Sequence, residues 1–278
     1  MEELFHTGER AIQAKSGEED IANLSARMIS SSVIKGAIDF IEKQPMVIVS
    51  SRSACGEVWV SVLFGQPGFA RIIQPGTMVI DLEAILSTNK DVFYENILED
   101  PELGSLFIDL SSKKRFRVNG QASQVGRSLQ IDIREAYPNC PKYIQQRVIT
   151  ALPFANSIAD IARGSTLTNV EKNWIVNADT FFVGSSSSTG RLDASHRGGN
   201  PGFIEILNDD TLKIPDYKGN SFYNTLGNIY DNPNTGLLLI DFEGGQTLQL
   251  NGEARVMFDQ QKYWIFKTKQ WIRTANHH

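Results

Sequence analysis

The sequence predicts a mainly β (α+β) protein: two tandem copies of one small antiparallel barrel, with helical segments at the N-terminus and between the copies. Three observations carry this. A series of short motifs recurs in the same order in the two halves. Each half is a succession of short β-rich runs divided by Gly, Pro and Asn turns. Each half also holds one short helical stretch, stopped by Asp100-Pro101 in the first and Asn232-Pro233 in the second.

The repeat is colinear. Val47-Ile-Val-Ser-Ser-Arg-Ser-Ala-Cys-Gly56 matches Phe181-Phe-Val-Gly-Ser-Ser-Ser-Ser-Thr-Gly190, and Pro67-Gly-Phe69 matches Pro201-Gly-Phe203, an offset of 134. Thr77-Met-Val-Ile80 matches Thr211-Leu-Lys-Ile214 at the same spacing. Asn96-Ile97 then matches Asn228-Ile229, Leu106-Phe-Ile-Asp109 matches Leu238-Leu-Ile-Asp241, and Val118-Asn-Gly120 matches Leu250-Asn-Gly252, all at 132. One two-residue length change between Ile80 and Asn96 reconciles the whole series, which isolated turn dipeptides would not produce.

The elements follow in order. Residues 1–42 form an N-terminal helical segment, with an amphipathic helix expected over Glu9 to Ile29 (Ile12, Ile21, Leu24 and Met28 on its stripe). Residues 43–133 form copy one, with strands near Met46–Ser51, Val58–Phe64, Ala70–Ile73, Thr77–Asp81, Gly104–Leu110 and Arg115–Ala122, and a helix over Asp91–Glu99. Residues 134–174 read as a helical linker, with a helix from about Lys142 to Ala162 interrupted at Pro153. Copy two spans 175–278, led in by a short helix over Glu171–Ala178 and closed by strands at Gly236–Phe242 and Thr247–Val256.

Composition narrows the function classes. With 41% hydrophobic and 21% charged residues in 278, a packed globule is expected. A net charge of -5 argues against non-specific nucleic-acid binding. The two cysteines, Cys55 and Cys140, make neither a disulfide framework nor a zinc motif, which fits a cytoplasmic protein. The start is acidic, and the apolar runs are too short to span a membrane. His196 is the only histidine of the four away from the termini.

The copies differ where a ligand would bind. Copy one reads Val60-Ser-Val-Leu-Phe-Gly65, whereas copy two reads Ala194-Ser195-His196-Arg197-Gly-Gly199. Copy two then has Pro215-Asp216-Tyr-Lys218-Gly219-Asn220-Ser221 before a helix opening near Asn224, with Asn220 or Ser221 as its expected N-cap. A helix start attracts anions through its free N–H groups and dipole. Arg197 adds a bidentate fork and Lys218 a point charge. Copy one carries Asp91 in its first helical turn, where it repels or replaces an anion, and Leu86 aligns with Lys218. For each residue alone a surface charge or an ordinary cap explains the choice; together, against an apolar sister copy, they point to a phosphate cradle.

At these residues the chain resembles the pyridoxamine 5′-phosphate oxidase-related FMN-binding split-barrel proteins. The segments Ser195–Phe203, Leu212–Asn220, Asn224–Ile229 and Thr247–Gly252 carry the resemblance. Phe5-His-Thr-Gly-Glu-Arg-Ala11 and Tyr137-Pro-Asn-Cys-Pro-Lys-Tyr-Ile-Gln145 look like a longer, duplicated subgroup. The resemblance implies tandem split barrels and an FMN site formed by Ser195, His196, Arg197, Pro215, Asp216, Lys218, Gly219, Asn220, Ser221 and Asn224. It adds Gln249 on a strand that often contributes a glutamine. The family's basic pair near the helix start is replaced by Asn220-Ser221, and its C-terminal substrate-phosphate arginine and histidine have no match in Arg273 or His277.

An FMN-dependent oxidoreductase acting on a small-molecule substrate or electron donor, and assembling as a homodimer, is therefore expected. The alternatives are a haem-binding or haem-degrading split barrel, with His196 as the available axial ligand, and a non-catalytic flavin carrier or sensor.

Overall fold

The computed structural model describes residues 4–149 and 158–277. The first half contains helices α1 (Thr7–Ser16), α2 (Glu19–Ser25) and α3 (Lys35–Glu42), then strands β1 (Met46–Arg52), β2 (Val58–Phe64), β3 (Ala70–Gln74) and β4 (Thr77–Asp81). Helix α4 (Phe93–Glu99) precedes β5 (Glu102–Asp109), β6 (Lys114–Val125) and β7 (Ser128–Pro138). The second half contains β8 (Ile158–Gly164), α5 (Asn169–Asn177), β9 (Thr180–Ser186), β10 (Leu192–Gly198), β11 (Glu205–Ile206) and β12 (Thr211–Pro215). Helix α6 (Asn224–Asp231), β13 (Asn234–Ile240), β14 (Thr247–Phe258) and β15 (Lys262–His277) complete it.

The fold is mainly β, with two antiparallel sheets forming tandem split-barrel units. Strand order is β2-β1-β5-β6-β7-β4-β3 in one and β10-β9-β13-β14-β15-β12-β11 in the other, so the topology repeats strand for strand. The irregularities repeat too: the ladder slips at Asn119/Gly120 and again at Asn251/Gly252. Gly56 and Gly190, at φ 85° and 89°, turn β1 into β2 and β9 into β10, a conformation that glycine adopts without a Cβ clash. Each unit has its own apolar core, around Phe107 and Ile131 in the first and around Trp264 and Phe266 in the second.

A third apolar layer joins the units. Ile48, Val60, Val62 and Leu106 of the first pack with Phe182, Ala194, Leu238 and Ile240 of the second. Close approach needs small residues at the crossing. A Cβ on Gly104 would lie 2.7 Å from the Asp193 backbone carbon, and one on Gly236 would lie 2.6 Å from the Val58 carbonyl oxygen. These two glycines occupy equivalent positions in the two copies.

Several expected elements change. The helix expected over Glu9 to Ile29 is two helices, because Gly17 ends α1 in a left-handed conformation at φ 64°. Of its stripe only Ile12 is buried, while Ile21, Leu24 and Met28 are exposed, because α1 alone docks against α6. The helix expected from Lys142 to Ala162 does not form where it is described: residues 142–149 hold no helix, Ile158–Gly164 is β8, and 150–157 lie outside the described residues. Strand β8 pairs with the free edge of β15, and satisfying that edge outweighs local helical pattern. The closing strands β7 and β15 were absent from the sequence reading, and β7 runs into the expected linker.

The glycine crossing gives a test by thermal unfolding. Gly236→Ala forces a Cβ onto the neighbouring backbone and is expected to cost about 1–3 kcal/mol. Gly36→Ala in α3, where a Cβ meets nothing within 4 Å, is expected to be neutral or stabilising by up to about 1 kcal/mol.

Candidate functional site

Between the units lies a cleft lined by β10, the loop before α6, the start of α6, β6 of the other unit and the segment after β7. Its walls include Arg115, Arg117, Cys140, Ser195, His196, Arg197, Asp216, Gly219, Asn220, Ser221 and Asn224. A continuing lobe adds Lys142, Tyr143 and Pro215 to Arg115, Cys140, His196 and Arg197. Strand β10 is the sheet's edge, so its groups are available to something other than a neighbouring strand.

The floor is set by Arg117, which reaches from the first unit into the second and is 3% exposed. Its guanidinium pairs with Asp193 at 3.2 Å, donates to the Ala194 carbonyl at 3.0 Å, to Asn224 Oδ1 at 3.0 Å and to the Tyr137 hydroxyl at 2.7 Å, and also donates to Ser195 Oγ. Burial alone would weaken its hold on the proton, but the charges of Asp193 and its neighbours raise its pKa above the ordinary arginine value. Asn224 passes the connection on, donating to Glu9 Oε1 of α1 at 2.5 Å.

The walls are different. Neither Arg115 nor Arg197 has a carboxylate within ion-pair distance among the described residues. Arg115 donates Nε to the Cys140 carbonyl at 2.6 Å, and burial followed by the charge of Arg197 lowers its pKa to about 10. Arg197 is likewise lowered, first by burial, although Asp216 acts the other way; its buried Nε has no partner. His196 is 4% exposed, sits edge-on to Phe182 with ring centroids 5.7 Å apart, and has no partner for either ring nitrogen. Burial, then Arg115 and Arg197, push its pKa well below the usual histidine range, so the imidazole is neutral at neutral pH. The Asp216 carboxyl is raised by burial and held back by Arg197 and Lys262. Unpaired cations and unpartnered polar atoms in one cleft suit an anionic, hydrogen-bonding ligand.

The structure gathers Ser195, His196, Arg197, Asp216, Gly219, Asn220, Ser221 and Asn224 around this cleft, with Pro215 at its edge. Lys218 does not line it: its ammonium is mostly exposed and pairs with Glu18 at 3.3 Å. Gln249 lies elsewhere, donating to the Val60 carbonyl at 2.9 Å, Ser61 Oγ at 3.0 Å and Asp91 at 3.2 Å. Neither Asn220 nor Ser221 is the N-cap. Helix α6 starts at Asn224 with Tyr223 in the left-handed region at φ 62° and no side-chain cap, while Asn220 Oδ1 accepts from Phe222 N at 3.3 Å.

Gln249 stands in copy two where Arg117 stands in copy one, and this explains its position. The contacts are reciprocal between the units: β6 of the first reaches β10 of the second, and β14 of the second reaches β2 of the first. Arg117 meets Ser195; Gln249 meets the equivalent Ser61. The first unit fills the equivalent place with Asp91, which accepts from Ser61, from Gln249 and, at 2.8 Å, from Phe93 N at the start of α4. Arg115 and Arg117 escaped the sequence reading, yet a signal existed: they align with the uncharged Thr247 and Gln249.

No known family model and no curated protein sequence matches the chain. Solved structures similar to parts of it include HupZ of Group A Streptococcus (TM-score 0.33, 15% identity, 40% of this chain and 99% of that one). An FMN-binding protein of Syntrophomonas wolfei is similar at TM-score 0.28 and 10% identity, over 37% of this chain and 88% of that one. A Clostridium acetobutylicum protein of the pyridoxinephosphate oxidase family is similar at TM-score 0.28 and 13% identity, over 39% of this chain and 87% of that one. These likenesses concern the fold of about one unit.

Helix α1 supplies a pH test. Burial first, then the charge of Asp193, raises the Glu9 pKa from 4.5 to about 8. The folded chain thus retains a proton that the unfolded chain releases, and this contribution is whole below about pH 4.5 and lost as pH rises through 8. Urea unfolding between pH 5 and 8 is expected to show stability falling with pH, and Glu9→Gln is expected to flatten that slope.

Proposed function

We propose that the cleft binds a flavin as FMN, and that the protein is a flavin-dependent oxidoreductase acting on a small molecule. The observation that carries this reading is the pairing of two arginines lacking carboxylate partners, Arg115 and Arg197, with the unpartnered His196 in one interunit cleft. Arg197 and Arg115 would hold the phosphate, with the uncapped start of α6 beside them. Ser195 and Asn224 are held in place by Arg117. When bound, the flavin supplies the hydride and electron chemistry. The protein's residues bind it, orient it and exclude water. The neutral His196 can donate or accept one hydrogen bond without adding charge. Nothing supports pyridoxamine phosphate oxidation in particular: Arg273 is engaged by Glu171 at 2.6 Å.

One flavin per chain follows from this reading, because Asp91 closes the first unit's equivalent site. An ancestral duplication accounts for the repeat, and a homodimer of the whole chain, checked by light scattering, belongs to the same proposal. Haem is the second reading, favoured by the two unpartnered nitrogens of His196.

The absorption spectrum of the purified protein separates the two, with flavin bands expected and a Soret band favouring haem. FMN titration is expected to show binding weakened about 10- to 100-fold by Arg197→Ala, the loss of about 1.5–3 kcal/mol from a charged hydrogen bond. Riboflavin, lacking the phosphate, is expected to discriminate little between wild type and variant. Gln249→Leu is expected to leave FMN affinity unchanged.

A further inference from the structure

The cleft wall contains a thiol. Cys140 follows β7 and lines both lobes of the cleft, half-buried, beside Arg115, Arg197 and His196. Its backbone is pinned, since its carbonyl accepts from Arg115 Nε at 2.6 Å. Reactive cysteines occupy such electropositive, partly accessible places, whereas inert ones are buried in apolar cores.

A second observation points to a ligand at this place. His196 lines the same two lobes, is 4% exposed and leaves both ring nitrogens unpartnered. The wall therefore joins a thiol, a neutral imidazole and two guanidinium groups without a carboxylate at ion-pair distance among the described residues. The other cysteine, Cys55, lies in the β1–β2 turn, exposed and outside the cleft. It serves as an internal standard for unassisted thiol chemistry.

We infer that Cys140 is a peroxide-reactive thiol opening into the cleft, oxidised to sulfenic acid when the cleft is free and shielded when it is filled. In the reaction the sulfur attacks one peroxide oxygen; an S–O bond forms as the O–O bond breaks. The departing hydroxide takes up the proton given up by the thiol and leaves as water. Sulfur is oxidised by two electrons, and hydrogen peroxide, the co-reactant, is reduced. The shielding part rests on the flavin reading; the reactivity does not.

The test uses the whole chain, treated with hydrogen peroxide in the presence of a cyclic 1,3-diketone that traps sulfenic acid, with each cysteine peptide quantified by mass spectrometry over time. Cys140 is expected to be labelled about tenfold faster than Cys55. Arg115→Met is expected to reduce that advantage and Arg115→Lys to restore it; Arg197→Met provides the same reading if Arg115→Met does not fold by circular dichroism. Labelling of Cys140 no faster than Cys55, or a rate unchanged in folded Arg115→Met, overturns the inference. With FMN added, binding is followed separately by quenching of flavin fluorescence. Binding with slowed Cys140 labelling supports the shielding, and binding without slowing overturns it. Failure of FMN to bind defeats the flavin reading, while the ratio of the two cysteines still decides the reactivity.

Discussion

The cleft depends on burying one charge. Arg117 belongs to the first unit's sheet and bonds there to the Tyr137 hydroxyl, but finds most of its partners in the second, where Asp193, the Ala194 carbonyl, Ser195 and Asn224 surround it. A buried cation is costly unless paired and fully hydrogen-bonded, and this one is both. Its satisfaction fixes the two sheets in one relation, holds the edge strand β10 against the start of α6, and ties both to α1 through Glu9. Without the interunit face Arg117 keeps the Tyr137 hydroxyl alone of the hydrogen-bond partners named here, and the cleft has no floor.

The rest of the cleft inverts that arrangement. Arg115 and Arg197 are half-buried with no carboxylate within ion-pair distance among the described residues, and burial first, then the charge of Arg197, lowers the pKa of Arg115. Burial first, then the same positive charges, keeps His196 neutral. A fold that satisfies Arg117 so completely leaves Arg197 Nε and both ring nitrogens of His196 without a hydrogen-bond partner. That contrast, within one chain and one cleft, is the physical ground for reading the walls as a ligand site and the floor as its support.

The first unit shows what happens when the demand is met internally. Its serine is kept at Ser61, but Asp91 supplies an anion from the chain itself and Gln249 replaces the guanidinium. The Asp91 carboxyl is buried, which raises its pKa, and its hydrogen bonds with Ser61, Phe93 N and Gln249 oppose the rise. The paired asparagines keep the common scaffold in both units: Asn96 donates to Ser51 at 3.1 Å, and Asn228 to Ser185 at 3.0 Å. One framework thus carries a closed site and an open one.

The sequence by itself determined the repeated β architecture, because turn glycines, prolines and strand alternation act locally and recur at fixed spacing. It also determined that Ser195, His196 and Arg197 differ in kind from Val60–Leu63, since that comparison needs no coordinates. Tertiary structure decided which strand faces which. Strands β6 and β14 each reach across to the other unit, so Arg115 and Arg117 line the cleft and Gln249 does not. Lys218 likewise lies close to the site in sequence but turns out to Glu18 on the surface. Strand β8 pairs with the stretch of β15 that β12 leaves open, a demand set by distant residues. Charge and pattern are written in the chain; the partners of a charge are chosen only when the sheets meet.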